Sequence, residues 1–433
     1  MEKFIIEGGH HLSGTIRPAG NKNAALPLLA ACLLSEETIT FHNMPQIGDV
    51  HTMLAILDDL GVTVNTDRWR GEGVVSLTAA EIRKSEPDPT LARKIRASLV
   101  LMGPMLARLG QVKMGHPGGD PIGSRPVDTH FQALGALGAA WEVGRTTYTL
   151  SAAQGLHGAD IFLVQASVTG TENAIMAAVL AAGRTTILNA ASEPHVQELC
   201  HFLNKLGAQI TGVGSNQLTI DGVARLSGGE HTIESDYIEV GSYIGLAAIT
   251  GSELLIKDAV PQHMRMTRLM FERLGVRSEV RGGDLFVPGG QQLRVSYDVH
   301  GGVAYIDDAP WPGFPADVMS IALTVATQAE GTILIFEKMF DARLFFVDKL
   351  NSMGARIILC DPHRAVVIGP ARLHGEELSS PDIRAGMALL LAALSAEGTS
   401  TIFNVQQIDR GYERIEERLQ ALGARIERQP VAD

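Results

Sequence analysis

The chain has 433 residues, 45% of them hydrophobic and 19% charged, with a formal net charge of -12. That length and balance suit a folded protein of about two domains and exclude a disordered chain. The negative total argues against a nucleic-acid surface, so any site for an anion must be assembled from particular lysines and arginines.

The opening MEKFIIEGGHHLSG turns polar at once and lacks the apolar core of a signal segment. The longest apolar runs, such as GMALLLAALSAEG, fall short of a membrane span and read as buried helices, so no membrane insertion is expected. Cys32, Cys200 and Cys360 lie far apart with no CxxC pair, and are read as small buried hydrophobes. The 46 glycines call for many tight turns.

An internal repeat organises the chain. An apolar helix ends at a glycine, a β-branched strand follows, then a second helix, an LG or MG turn and another strand. The first glycines are Gly110, Gly183, Gly251, Gly331 and Gly398. The turn glycines are Gly61, Gly138, Gly207, Gly275, Gly354 and Gly423, spaced 68 to 79 residues apart. A glycine past a helix end takes the left-handed conformation that L side chains avoid. Stretches such as TILIF and TSTIF read as strands, and ERIEERLQALGARIE places Ile415, Leu419 and Leu422 on one helical face. Six such α/β modules fit two domains of three, with the midpoint near residues 230 to 240. The expected domains are 22–234 and 235–433.

Polar motifs that differ between the copies carry the chemistry. In GNKNAALPLLAA, Lys22 and Asn23 open a helix, with Asn23 as the candidate cap. A helix start and a lysine suit a phosphate; the alternative is a surface lysine beside a structural cap. In ARKIRASLVLMGPML, Arg93, Lys94 and Arg96 give an apolar helix a basic start, or form a solvated charge cluster, with Pro104 kinking the helix or ending its first part. HPGGDPIGSRPVDTH is a shaped loop holding Asp120, Arg125 and Asp128 between His116 and His130. Asp120 is either a general acid or a turn former, and the histidine spacing does not suit a metal. In ASVTGTENAIM, Thr169, Gly170 and Thr171 precede a helix with Thr171 or a neighbour as cap, a role that competes with holding a phosphate or ribose. Asp317, in PGFPADV, either caps its helix or serves as a base. Asp382 is the natural cap of a long apolar helix, with Arg384 in its first turn, where a cation opposes the dipole unless an anion meets it. Asp409 and Arg410 repeat that theme. GxGxxG, GxxxxGK[ST] and GxSxG motifs do not occur, which weakens dinucleotide, P-loop and serine-hydrolase readings.

GNKNAALPLLAA, KIRASLVLMGPMLARLG, GGDPIGSRPVDTH, PGFPADV, DIRAG and IDRGYERIEERL together, in this order along nearly the whole chain, resemble the UDP-N-acetylglucosamine 1-carboxyvinyltransferases. The resemblance implies an α/β enolpyruvyl transferase fold of six βαβαββ-type modules in two domains, 22–234 and 1–21 plus 235–433, with the active site between them. It implies transfer of an enolpyruvyl group from phosphoenolpyruvate to the 3-hydroxyl of UDP-N-acetylglucosamine, a cytoplasmic step at the start of peptidoglycan synthesis. No metal or organic cofactor is implied, and protein partners are left open.

Placed by the same resemblance, Lys22 and Asn23 serve the phosphoenolpyruvate and sugar sites. Arg96, Arg125 and Arg410 bind phosphate and carboxylate, while Arg343 and Arg384 are further cleft cations or closure contacts. Asp317 receives the proton of the sugar hydroxyl. Arg125, Pro126, Val127 and Asp128 hold the uridine diphosphate, as do Thr169 and Gly170. Asp382 is the acidic partner of the DIRAG arginine, and Met339 is a further substrate-binding residue. Two departures stand out. Asp120 occupies the place of a cysteine in many relatives, and MFDAR stands where many read FENR. Either residue can donate a proton, but a carboxylate opens an epoxide far less readily than a thiolate. The antibiotic fosfomycin, which alkylates the family cysteine, is therefore expected to inactivate this chain poorly. The nearest alternative is the sister enzyme acting on shikimate 3-phosphate; a non-enzymatic repeat scaffold is another.

Overall fold

In a computed structural model the chain is described from residue 2 to residue 431. It divides into two compact units. The terminal unit comprises the chain through Ala19, the segment Asp120–Arg125 and everything from Ser235 onward; the middle unit comprises Gly20–Gly119 and Pro126–Glu234.

The sheets explain the repeat. Among the described residues there are six, five of four strands and one of three. In the four-stranded sheets one strand pairs in parallel with its neighbour, and the next two pairings are antiparallel. A parallel pair needs a long crossover, and a buried helix supplies it. Two modules are contiguous, Asp160–Asp221 and Ala304–Gly369. Three complete themselves with a distant strand. Thr38–His42 takes Gly229–Thr232 as its parallel partner, and Glu253–Ile256 takes Ser13–Ile16. Thr399–Phe403 pairs antiparallel with Glu2–Glu7, which pairs in turn with Arg425–Pro430. The three-stranded sheet joins Gln111–Gly115, Thr147–Ser151 and Ala140–Val143.

Each unit is built around three buried helices. In the terminal unit these are Tyr237–Ile249, Ala316–Ala326 and Ile383–Ser395, packed on one another. Every residue of Tyr237–Ile249 is buried, and each buried leucine or isoleucine contributes about 1.5–3 kcal/mol. A Cβ at Gly245 would stand 2.4 Å from Ile321 Cγ2, so glycine is what lets these two helices approach. In the middle unit the central helices are Lys22–Ala31, Met102–Leu109 and Val168–Ala178. The second helix of each module is two-faced: in Pro194–Lys205 the buried Val196, Leu199, Cys200 and Leu203 recur every three or four residues. The six turn glycines that follow these helices have φ between 83° and 106°.

Local details correct several sequence readings. Asn21, not Asn23, caps Lys22–Ala31, its side chain accepting from the N–H groups of Asn23 and Ala24. Pro27 lies inside that helix. The basic segment does not open one continuous helix: Pro89–Ala92 stops, a 3-10 turn runs over Arg96–Leu101, and Met102–Leu109 follows, with Pro104 in its first turn. There the missing N–H of proline costs no intrahelical hydrogen bond. Ser167, not Thr171, caps Val168–Ala178. Asp409 ends the short helix Gln406–Asp409 and Arg410 is its C-cap, so DR here does not repeat the Asp382 helix start. Cys32 and Cys200 are buried, but Cys360 is exposed. Among the described residues no helix is long and apolar enough to cross a membrane.

Candidate active site

In the middle unit, Lys22 is the first residue of its helix and is buried, with its ammonium 2.9 Å from the buried Asp49 carboxylate. A buried ion pair of this kind is a fixed charge, not a mobile surface lysine. Asn23 is half-buried in the same turn, its N–H taken by the Asn21 cap. Arg96, also half-buried, starts the 3-10 turn.

A relay leads from the core to Thr169. The Asn173 carbonyl accepts from the Gly103 N–H at 2.6 Å, so its amide nitrogen is the donor, to Leu99 O at 2.8 Å and to His130 Nδ1 at 2.9 Å. His130 Nδ1 is then an acceptor, and Nε2–H donates to Thr169 Oγ1 at 3.0 Å. Burial, with the Arg96 charge adding to it, pushes His130 down to about 3, so the ring is neutral at physiological pH. Gly170 donates its N–H to Ser167 Oγ. Pro126 and Asp128 are exposed and Val127 is half-buried; Asp128 opens the helix Asp128–Ala136, where a carboxylate complements the dipole.

The terminal unit brings two carboxyl groups against arginines. Asp120 Oδ1 is 2.5 Å from Arg410 Nη1, which also donates to Gln407 Oε1 at 3.0 Å. Arg125 Nη2 donates to the Asp120 carbonyl at 3.1 Å, and its burial pushes the guanidinium down against the pull of Asp120. Gly123, at φ 114°, lies so close that a Cβ would meet Asp341 N at 2.9 Å. Ala342 N–H donates to Ile122 O at 3.2 Å, which ties this loop to the MFDAR segment.

Asp317 sits in the first turn of Ala316–Ala326, yet Pro315 is the N-cap position and makes no side-chain capping bond. The carboxylate instead accepts from Arg343 Nη2 at 2.8 Å and Arg384 Nη2 at 3.1 Å. Arg384 also reaches the buried Tyr412 hydroxyl at 3.3 Å. Burial pulls the Arg384 guanidinium down, but Asp317 and then Tyr412 outweigh it and hold it above the ordinary arginine range. Thus the cation in a helix first turn does meet an anion. Asp382 caps that helix through the N–H groups of Arg384 and Ala385, while burial pushes its carboxyl up. Met339 is exposed, its N–H given to Glu337 and Asp308.

The sequence reading missed Asp49, Asn173, Tyr412, Asp308 and Glu337. Only IDRGYERI hinted at one of them, since it sets a tyrosine two residues beyond Arg410, and Tyr412 lies buried in the bend between Gln406–Asp409 and Ile415–Gln420. The others are ordinary residues until folding supplies their partners. Among the described residues no cluster of three or more histidine, cysteine or acidic side chains is placed to hold a metal ion.

The family model described as EPSP synthase (3-phosphoshikimate 1-carboxyvinyltransferase) matches residues 6–419. A UDP-N-acetylglucosamine 1-carboxyvinyltransferase of Bradyrhizobium diazoefficiens is 54% identical, over 99% of this chain and 98% of the relative. One of Treponema denticola is 54% identical over 99% of both. Among solved structures, the enolpyruvyl transferase NikO from Streptomyces tendae superposes with a TM-score of 0.88 at 23% identity, covering 100% of this chain and 99% of that one. EPSP synthase from Acinetobacter baumannii follows at 0.75 and 18%, covering 99% of this chain and 100% of its own. These two likenesses establish the enolpyruvyl transferase fold. With that fold and half its residues shared across nearly its full length, the chain belongs to the UDP-N-acetylglucosamine 1-carboxyvinyltransferase family.

Proposed function

We propose that this chain transfers the enolpyruvyl group of phosphoenolpyruvate to the 3-hydroxyl of UDP-N-acetylglucosamine, releasing phosphate, as a cytoplasmic step at the start of peptidoglycan synthesis. The observation that carries the reading is 54% identity over 99% of the chain to a relative of that name.

A hydroxyl is a weak acid, so its attack on C2 of phosphoenolpyruvate needs a base; Asp317, aimed by Arg343 and Arg384, takes that proton. C3 must gain a proton as C2 becomes tetrahedral, and Asp120, on its loop against Arg410, gives it. In the second half Asp120 takes a proton back from the new methyl group. The C2–O bond to phosphate breaks, the double bond reforms, and the phosphate leaves with the proton held on Asp317. Lys22, Arg96, Arg125 and Arg410 supply positive charge for the donor's phosphate and carboxylate. Asn23, Pro126, Val127, Asp128, Thr169, Gly170, Met339, Asp382, Arg343 and Arg384 serve binding and orientation. The relay that ends on Thr169 supports a fixed hydroxyl for the diphosphate side.

The test is phosphate release from phosphoenolpyruvate with UDP-N-acetylglucosamine or shikimate 3-phosphate, with product mass measured. Release with the UDP-sugar alone, and a product heavier by one enolpyruvyl group, is the expected result. Release with shikimate 3-phosphate alone, or none with either in a folded preparation, overturns the reading.

A further inference from the structure

Behind Asp317 lies a second acidic group that the reaction as described does not use. Asp308 and Glu337 are both fully buried, just past the adjacent parallel strands Ala304–Asp307 and Gly331–Phe336. Asp308 accepts the N–H of Lys338 at 2.5 Å and of Met339 at 3.3 Å. Glu337 Oε1 accepts the N–H of Met339 and of Phe340, each at 3.1 Å. The two carboxyls thus clamp the backbone that leads into Arg343. On its other side, Glu337 Oε2 stands 3.5 Å from Arg343 Nε, and neither atom has a hydrogen-bond partner although both are buried. Two orphaned, complementary atoms facing one another are a contact a few tenths of an ångström from closing. Arg343 is itself buried, its ring-facing side over Phe340 and its Nη2 on Asp317.

We propose that Glu337 is a positioning residue that shares the Arg343 guanidinium with Asp317, so that the balance between the two carboxyl groups sets how firmly Arg343 holds the base.

The groups facing Glu337 define its behaviour. Asp308 lies beside it, Arg343 opposite, and His363 Nδ1 meets its main-chain carbonyl at 2.8 Å. Lys338 turns away to Asp307, and Asp341 faces His363. Burial first, then Asp308, pushes Glu337 up to about 9, with Arg343 opposing. At neutral pH Glu337 is therefore an uncharged acid, and the Arg343 charge is left to Asp317. When Glu337 ionises it becomes a rival anion, Nε closes on Oε2, and Asp317 loses one of its two arginine holds.

This inference rests on Asp317 being the base, so two variants are measured together on the full chain. In Glu337→Gln, which mimics the neutral acid, turnover at pH 7.5 is expected to fall no more than about threefold, and the fall in kcat expected of the native chain near pH 9 is expected to be absent. Glu337→Ala, which also removes the clamp on Met339 and Phe340, is expected to lose about tenfold or more in kcat with KM for phosphoenolpyruvate changed less than threefold. A purely structural role would lower thermal stability in both variants and leave the pH profile unmoved. An alkaline limb identical in the native chain and Glu337→Gln, or an equal loss in both variants, overturns the inference. Asp317→Asn separates the two readings: if it retains turnover, the base assignment fails, whereas an inactive Asp317→Asn beside an unmoved limb in Glu337→Gln sinks the inference alone.

Discussion

Asp120 and Asp317 are both carboxyl groups against arginine in the same unit, but they are held by different means. Asp317 is in the first turn of a helix whose remaining nine residues are all buried, and two arginines grip it. Asp120 sits on a glycine- and proline-rich loop outside any helix or strand, attached through Arg410 and through its own carbonyl to Arg125. A helix fixes a side chain through its backbone; a loop fixes it through whatever the side chain binds. In the roles proposed above, Asp317 waits for one hydroxyl, which suits the first arrangement, and Asp120 gives a proton and takes it back, which suits the second.

Removing each carboxyl breaks the comparison most directly. Asp317→Asn is expected to lower phosphate release by about 1,000-fold or more, with a smaller change in KM, since base and orientation go together. Asp120→Asn is expected to lose about 100-fold or more, for want of the proposed general acid. Asp120→Cys sharpens the point: it is expected to keep measurable turnover and to become inactivated by fosfomycin in a time-dependent way, while the native chain is not, because a thiolate opens the epoxide. Equal resistance in both would place the difference elsewhere than at this atom.

Arg410→Lys tests the loop's tether. It keeps the charge but loses the planar guanidinium whose Nη1 meets both Asp120 and Gln407, so KM for phosphoenolpyruvate should rise about tenfold with kcat changed less. Stability effects are smaller. Glu337 has a folded pKa near 9, above its unfolded value, so its contribution to stability is intact at low pH and is lost progressively as pH rises from the usual carboxyl range to about 9. Glu337→Gln carries no such penalty and should melt higher than the native chain at pH 8, with little difference at pH 4. The smallest effect belongs to Asn21→Ala, which removes the cap of Lys22–Ala31 and should cost about 0.5–2 kcal/mol in thermal unfolding.

Asn21 also shows how far local reading reaches. Asn21 and Asn23 flank Lys22, and the pattern cannot say which asparagine precedes the first helical turn. The choice falls on Asn21 because its N–H is tied to Glu234 O, which sets the backbone before the turn. Asp382 was legible because a long apolar run with no other capping residue follows it. Asp409 was misread by analogy: its short helix ends there, and its carboxylate is taken by Arg428 at 2.7 and 2.9 Å.

The sequence by itself determined the sixfold α/β architecture, because glycine at the helix ends and the switch between helical and strand periodicity are local matters of backbone sterics. It also marked Lys22, Asp120, Arg125, Asp317, Arg384 and Arg410, since charges set among glycines, prolines or long apolar helices stand out against their neighbours. Only the tertiary structure decided which strands complete each sheet, that Asp120–Arg125 joins the unit formed by the chain ends, and which charges meet. Pairings such as Asp317 with Arg384 and Lys22 with Asp49 join residues 67 and 27 positions apart. No local pattern encodes such a contact; it exists only once the buried helices bring their ends together and the low dielectric makes each unpaired charge costly.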